Sequence, residues 1–392
     1  MRLRSICSMN PLSSTIKDMK LAPMREVSKT LQIRWYRCPV DKKTLRSLMT
    51  PDDTRGLFMA LGHLGLWATS GGIAFYLFSQ QMWAGFVVAL FVHGTIGSFF
   101  TAPHHELCHR TVFRTKWLNE AFLRIFSLLG WNNFEIYQFS HNYHHRFTLH
   151  PEGDREEVMP ATPSLRALYL LQLLTVNIFG GYQSKGVVPT LHNFFAIAAN
   201  RFDNPFNSWG EELYEGYDEH RRRASAWARI TLLFHAVVIG GAFAIGQPIL
   251  ALLISGSPFI ANLWRYLVGV PMHCGLKSSD TDFRKSVRTI TLDPVSEFLY
   301  WHMNWHLEHH MFAGVPCYNL KALHQATADD MPAPRTLFGA WKEMRDTWKH
   351  QKTDPDYAYD TPVPSEGMPA RNRDAMAASI GELGPKEIAN TD

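Results

Sequence analysis

Cysteine is scarce in this 392-residue chain: Cys7, Cys38, Cys108, Cys274 and Cys317, with no C-x-x-C pair among them. That excludes a disulfide framework or a zinc ribbon, and reduced thiols facing a cytosol are expected. Excess charge is scarce too. The net charge is +4, so no nucleic-acid partner is expected. No apolar signal-peptide core precedes Leu57, and the first 30 residues carry Arg, Ser and Lys without making a convincing transit peptide. A flavin fingerprint, an iron–sulfur cysteine set and a haem-binding His-Pro-Gly-Gly are all missing; His150-Pro151-Glu152-Gly153 matches the last only by half.

Apolar length is what the chain has. Hydrophobic residues make up 46% and aromatics 13%, yet mean hydropathy is slightly negative, so a sizeable polar part sits outside any bilayer. Four stretches, at about 57–78, 82–102, 226–245 and 249–270, are each long enough to cross roughly 30 Å of hydrocarbon as a helix. Ser79-Gln80-Gln81 separates the first pair and Gly246-Gln247-Pro248 the second, which predicts two hairpins. Gly256 and Pro258 predict a kink in the last stretch. Two hairpins leave residues 1–56, the long loop 103–225 and everything after 271 on one side. A dozen Lys and Arg in residues 1–56, against none in the hairpin turns, make that side cytoplasmic. Segments 165–182 and 117–131 read as helices lying in the interface. The expected organisation is a cytoplasmic segment 1–56, a membrane domain 57–345, and a disordered tail 346–392 rich in Pro, Asp, Glu and Ala.

Nineteen histidines are distributed unevenly. His105 and His109 frame His105-Glu106-Leu107-Cys108-His109. His141, His144 and His145 form one H-x-x-H-H, and His306, His309 and His310 form another. Positions i, i+3 and i+4 share a helix face, so each set projects together. Eight imidazoles are enough for two metals and too many for one. By the predicted topology the first set follows the second span and the third follows the fourth, while His273 emerges at the end of that fourth span. All then lie on one side, just above the bilayer. His63, His93, His192, His220, His235, His324 and His350 read as ordinary isolated histidines.

A zinc peptidase competes, because His105–His109 is a literal H-E-x-x-H with Glu106 as base. Zinc needs about three protein ligands, which leaves both H-x-x-H-H sets unexplained. A membrane metal sensor or store is the non-catalytic alternative. Imidazole suits several transition metals, so ligand type alone does not name iron. A redox-active pair with open positions suits oxygen activation and attack on an unactivated C–H bond.

These sets, in this order around two hairpins, resemble the membrane fatty acid desaturase and hydroxylase superfamily. The likeness extends through Arg110-Thr111-Val112-Phe113, through Arg146, Thr148 and Pro151-Glu152-Gly153-Asp154, and through Val287-Arg288-Thr289, Trp301 and Val315-Pro316 to His324. It implies an all-α integral membrane fold: four spans under a cytoplasmic helical cap that holds two Fe ions. The implied ligands are His105, His109, His141, His144, His145, His306, His309 and His310, with His273 matching an extra histidine that some members contribute. His104, His302 and His150 read as neighbours of the site. Glu106, Asp154, Glu308 and Asn304 are the nearest candidates by sequence to hold the outer nitrogens of bound imidazoles. The family also implies an external electron donor of ferredoxin or cytochrome b5 type. A lipid acyl chain is the default substrate and a small non-lipid metabolite the alternative, with desaturation or hydroxylation as the outcome.

Overall fold

The computed structural model describes residues 22–156, 165–180, 185–203 and 210–364. Cys7 and the first residues, where a transit peptide was weighed, lie outside them. Among the described residues the chain is mostly helical, with one two-stranded parallel pairing of β1 (Ile290–Thr291) and β2 (Arg335–Thr336).

Among the described residues, three helices are long and apolar enough to cross a membrane. The first, α1, is Asp53–Ser79; the carboxylate of Asp52 caps its start by accepting from the backbone N–H of Thr54 and Arg55. The second runs almost unbroken through α2 (Trp83–Ser98) and α3 (Thr101–Cys108). They turn at residues 80–82, where Gln81 has φ 57°. After them come α4 (Lys116–Leu129), α5 (Phe134–Phe147), α6 (Ala167–Leu174) and α7 (Val187–Ala198), and then the third long helix, α8 (Asp218–Ala244). Phe58, Val87, Val88, Leu233, Val237 and Phe243 point outward from these long helices and are 62–69% exposed. Apolar side chains turned outward along such lengths suit a hydrocarbon surrounding.

The fourth expected span is not one helix. Residues 249–272 break into α9 (Ile249–Ser255), a 3-10 turn Ser257–Phe259, the left-handed Ala261 (φ 49°), α10 (Leu263–Gly269) and a second 3-10 turn. The kink expected at Gly256 and Pro258 is thus a full interruption. Its backbone is satisfied from outside: Asn177 N–H donates to Phe259 O, and Ala261 N–H donates to Thr175 O, both at 2.8 Å. Irregular backbone at membrane depth is tolerated when another segment pairs it. Two glycines of α2 let the break approach. A Cβ at Gly94 would fall 2.6 Å from Ile260 Cβ, and one at Gly97 2.8 Å from Ser257 Oγ.

The segments expected to lie in the interface are short helices. α6 has 8 residues, about 12 Å, and α4 has 14, about 21 Å; neither can cross. Residues 181–182 of the first segment lie outside the described residues. α6 leaves Leu168 and Leu171 exposed, and α4 leaves Trp117 and Ile125 exposed.

Among the further helices, α11 (Pro294–Leu299), α12 (His306–Met311) and α13 (Leu337–His350) contribute residues to one core cluster. The tail expected to be unstructured from 346 is ordered to 364. α13 continues to His350, and Tyr359 N–H then donates to Gly275 O at 2.8 Å. Asp360 accepts from Lys277 and Lys285, and Thr361 is buried and accepts from Arg335. Pairing with residues 275–285 compensates for the lack of apolar periodicity. Residues 365–392 lie outside the described residues.

Candidate metal centre

Each histidine set sits where its local sequence places it. His105 is in the last turn of α3 and His109 caps that helix. α5 is started by Asn133, whose side chain accepts from Ile136 N–H, and brings His141, His144 and His145 to one face near its C-terminus. α12 carries His306, His309 and His310. His273 follows the 3-10 turn that ends the broken segment.

The chain steps out of ordinary geometry around these helices. Arg110 after the first set, Leu149 after the second, and Trp301 and His302 before the third all have φ of 51–57°. Left-handed backbone at a non-glycine residue costs on the order of 1–2 kcal/mol, and such strain clusters at functional sites. Gly153 permits the turn beyond the second set, because a Cβ there would lie 2.5 Å from the Phe147 ring.

All nine histidines meet, and they sort into two nests. His105, His109, His141, His145 and His309 form one; His144, His273, His306 and His310 form the other. Within each nest one ring nitrogen per residue lies within 4.8 Å of all the others. The nests share a wall, with ring centroids of His145 and His310 4.3 Å apart and those of His141 and His144 5.3 Å apart.

The nitrogens confront one another. His105 and His309 Nε2 are 2.8 Å apart, and His141 and His145 Nε2 3.0 Å apart. In the second nest His306 Nε2 is 3.0 Å from His273 Nε2 and 3.1 Å from His310 Nε2. A metal–imidazole bond of about 2.1 Å puts two donors at right angles on one ion about 3.0 Å apart. His109 Nε2 is buried without any hydrogen-bond partner. The donor set therefore fits one transition-metal ion per nest.

Protonation states agree. Burial, followed by repulsion from neighbouring imidazoles, holds His141, His145, His306 and His310 well below the ordinary histidine range. Burial pushes His109 down to about 4 and His273 to about 3. Near pH 7 these rings are neutral, with lone pairs available to a metal.

Five of the outer nitrogens are held by protein partners, as metal-bound imidazoles require, while Nδ1 of His145, His306 and His309 is buried without a hydrogen-bond partner. Asp154 Oδ2 is 2.8 Å from His144 Nδ1, as its sequence position suggested. Glu156 Oε2 is 2.8 Å from His141 Nδ1. His105 Nδ1 meets the Tyr137 hydroxyl at 2.6 Å, His310 Nδ1 meets Thr148 Oγ1 at 3.1 Å, and His273 Nδ1 donates to Ser286 O at 3.1 Å. Glu156 also groups with His141 and His144, but its contact with His141 is on the Nδ1 side, behind the nest. Sequence reading missed Tyr137, Glu156, Thr148 and Ser286. Tyr137 lies four residues before His141 on the same helix face and was legible; the carbonyl of Ser286 left no signal.

Two expected acceptors do something else. Glu308 binds His324 Nδ1 at 2.6 Å and Thr289 Oγ1 at 2.5 Å, so it serves an imidazole outside the nests. Asn304 donates to Ile290 O. Glu106 stays apart, 3.7 Å from both His105 Nε2 and His309 Nδ1.

The neighbouring histidines fall outside both nests. His104 pairs with Ser127, His302 with Glu297, and His150 with Thr148 O. His63, His93 and His235 link helices: His63 Nε2 is bonded to Ile96 O and His63 Nδ1 accepts from Trp301 Nε1, while His235 is bonded to Ser255 Oγ and Leu128 O.

A sequence model of one protein family, described as fatty acid desaturase, matches residues 81–341, a span that contains all nine nest histidines. No curated protein matches the chain.

Proposed function

This chain belongs to the fatty acid desaturase family, and from that premise we propose that it is an oxygen-dependent desaturase or hydroxylase of lipid acyl chains that works at a pair of histidine-bound irons. The observation that carries this reading is the division of nine imidazoles, seven buried and those of His109 and His145 partly buried, into two adjoining nests of five and four. A zinc peptidase would use three of them and leave six without a role.

The five-histidine nest would hold one iron and the four-histidine nest the other. When bound, the pair supplies the oxidising power to attack an unactivated C–H bond. Desaturation removes two hydrogens and, with dioxygen, two electrons and two protons, forms two waters. Hydroxylation inserts one oxygen atom and forms one water. The chain's own part is positional. Asp154 and Glu156 orient His144 and His141, Tyr137 orients His105, and the caps and strained turns hold α3, α5 and α12 face to face. Burial of seven of the nine rings limits the access of bulk water to the centre. In this reading the electrons come from an external donor of ferredoxin or cytochrome b5 type.

The topology proposed with this function has four membrane passages in two hairpins. The fourth is the broken segment 249–272, and Gly246 (φ 69°) forms the turn before it. His105 and His109 follow the second passage and His273 follows the fourth, so both hairpins open toward the centre. The twelve Lys and Arg of residues 1–56 favour the cytoplasm as that side.

The test combines iron analysis of the purified chain, oxygen uptake linked to a reductant, and lipid profiling of a host with and without it. Two irons per chain and a new double bond or hydroxyl in host lipids are expected. Undiminished oxygen-dependent turnover in His144→Ala or His309→Ala would overturn the ligand assignment. A modified small polar metabolite with unchanged lipids would overturn the substrate class.

A further inference from the structure

Glu106 is the one carboxylate beside the centre whose role is still open. It lies on α3 between His105 and His109, its side chain is 1% exposed, and neither oxygen has a hydrogen-bond partner. An unpaired carboxylate so deeply buried is strongly unfavourable unless a cation or a donor stands beside it. An unsatisfied donor, His309 Nδ1, is also buried without a partner and lies 3.7 Å from Glu106 Oε1. The other nitrogen of that ring, Nε2, already faces His105 Nε2 inside the five-histidine nest. Asp154 and Glu156 show the completed form of this arrangement, each 2.8 Å from the Nδ1 of a nest histidine.

We propose that Glu106 is the positioning residue for His309: its carboxylate accepts the Nδ1–H, tying the first histidine set to the third and aiming Nε2 into the five-histidine nest. Its negative charge then stands against the cation held there. This role differs from the water-activating base that a peptidase would need, and it rests on the metal reading above. The 3.7 Å gap closes to a hydrogen bond with a side-chain movement of under about 1 Å.

The experiment uses the full chain, purified in detergent and loaded with ⁵⁷Fe, as wild type, Glu106→Gln and Glu106→Ala. Stepwise chelator extraction follows iron release, and Mössbauer spectra resolve the two sites. Gln keeps an acceptor without the charge; Ala removes both. In Glu106→Gln one iron should weaken by about 10–100-fold while the other is released as in wild type. In Glu106→Ala that same iron should be lost while the second stays, which also reports a folded protein. Wild-type release of both irons from both variants would overturn the assignment. So would equal weakening of both irons in Glu106→Gln, the mark of a general packing role. A wild type that binds no iron would instead remove the metal reading itself.

Discussion

Two populations of buried histidine occupy two regions of this molecule. Between the long helices, His63, His93 and His235 are as buried as any ring in the nests. Both nitrogens of each are matched to a protein partner: His93 has Ser70 and the carbonyls of Trp67 and Leu253, and His235 has Ser255 and the carbonyl of Leu128. In the nests, the inward nitrogens face one another. Burial alone therefore says little about a histidine's role. A ring whose two nitrogens are both spoken for is a cross-link; a ring that offers a bare nitrogen to three or four others can hold a metal ion.

The sharpest way to break that distinction is to exchange the two populations in mutation. His306→Ala removes the ring that touches both His273 and His310, so at least one metal should be lost and turnover should fall below detection. The same metal analysis on His63→Phe should return the wild-type count, since His63 belongs to no nest. A normal metal count in His306→Ala would end the comparison.

Acid should test the nests next, and the sign follows from the depressed values of His109 and His273. Both are held below their unfolded value of about 6.5, so the unfolded chain binds more protons as pH falls, and metal-free stability is lost on acidification. The window runs from about pH 6.5 down to about 4 for His109 and 3 for His273. At pH 5 each should have cost the metal-free protein about 2 kcal/mol. Thermal melts of metal-free protein should fall steeply between pH 6.5 and 5. Metal-loaded protein should hold its melt until the ions leave, because bound metal excludes the proton. Identical pH profiles for the two forms would contradict neutral, metal-ready rings.

Asp154→Asn tests the shell behind the nests. It removes the charge that holds His144 Nδ1, and the same oxygen also accepts from Leu149 N–H. Affinity at the four-histidine nest should drop by about 10–100-fold, read as earlier release of one iron to a chelator. His63→Phe should leave affinity alone and instead cost about 1–3 kcal/mol in a thermal melt, since it strands Trp301 Nε1 and removes a second bond to Ile96 O.

Much of the centre was legible because its signals are local. A repeat of i, i+3 and i+4 lies within one helix, so α5 and α12 were readable from five residues each, as were three apolar helices from their length. The rest depends on contacts distant in sequence. Gly256 and Pro258 announced a weakness near residue 257, but nothing local says that residues 175–177 pair with the break. Asp154 sits ten residues from His144 and was found; Ser286 O reaches His273 through a folded loop and was not. Glu308, inside a histidine set, was misjudged because proximity in sequence does not say which way a side chain turns. It turns to His324.

The smallest expected effect concerns the stretch after α13, where composition misled. Asp360 is half exposed and accepts from Lys277 and Lys285 at 2.5 and 2.9 Å. Those hydrogen bonds hold its carboxyl below the usual range. Exposed ion pairs contribute roughly 0–1 kcal/mol and are screened by salt. Asp360→Asn should therefore lower the melt slightly at low ionic strength and not at all in high salt. Yet Lys277 and Lys285 flank the loop whose Ser286 carbonyl receives His273 Nδ1–H. If Asp360→Asn also released iron from the four-histidine nest, the segment from 351 to 364 would belong to the centre. The expectation is that it does not: the Tyr359–Gly275 backbone bond and buried Thr361 hold the loop without the charge, and iron content stays at the wild-type value.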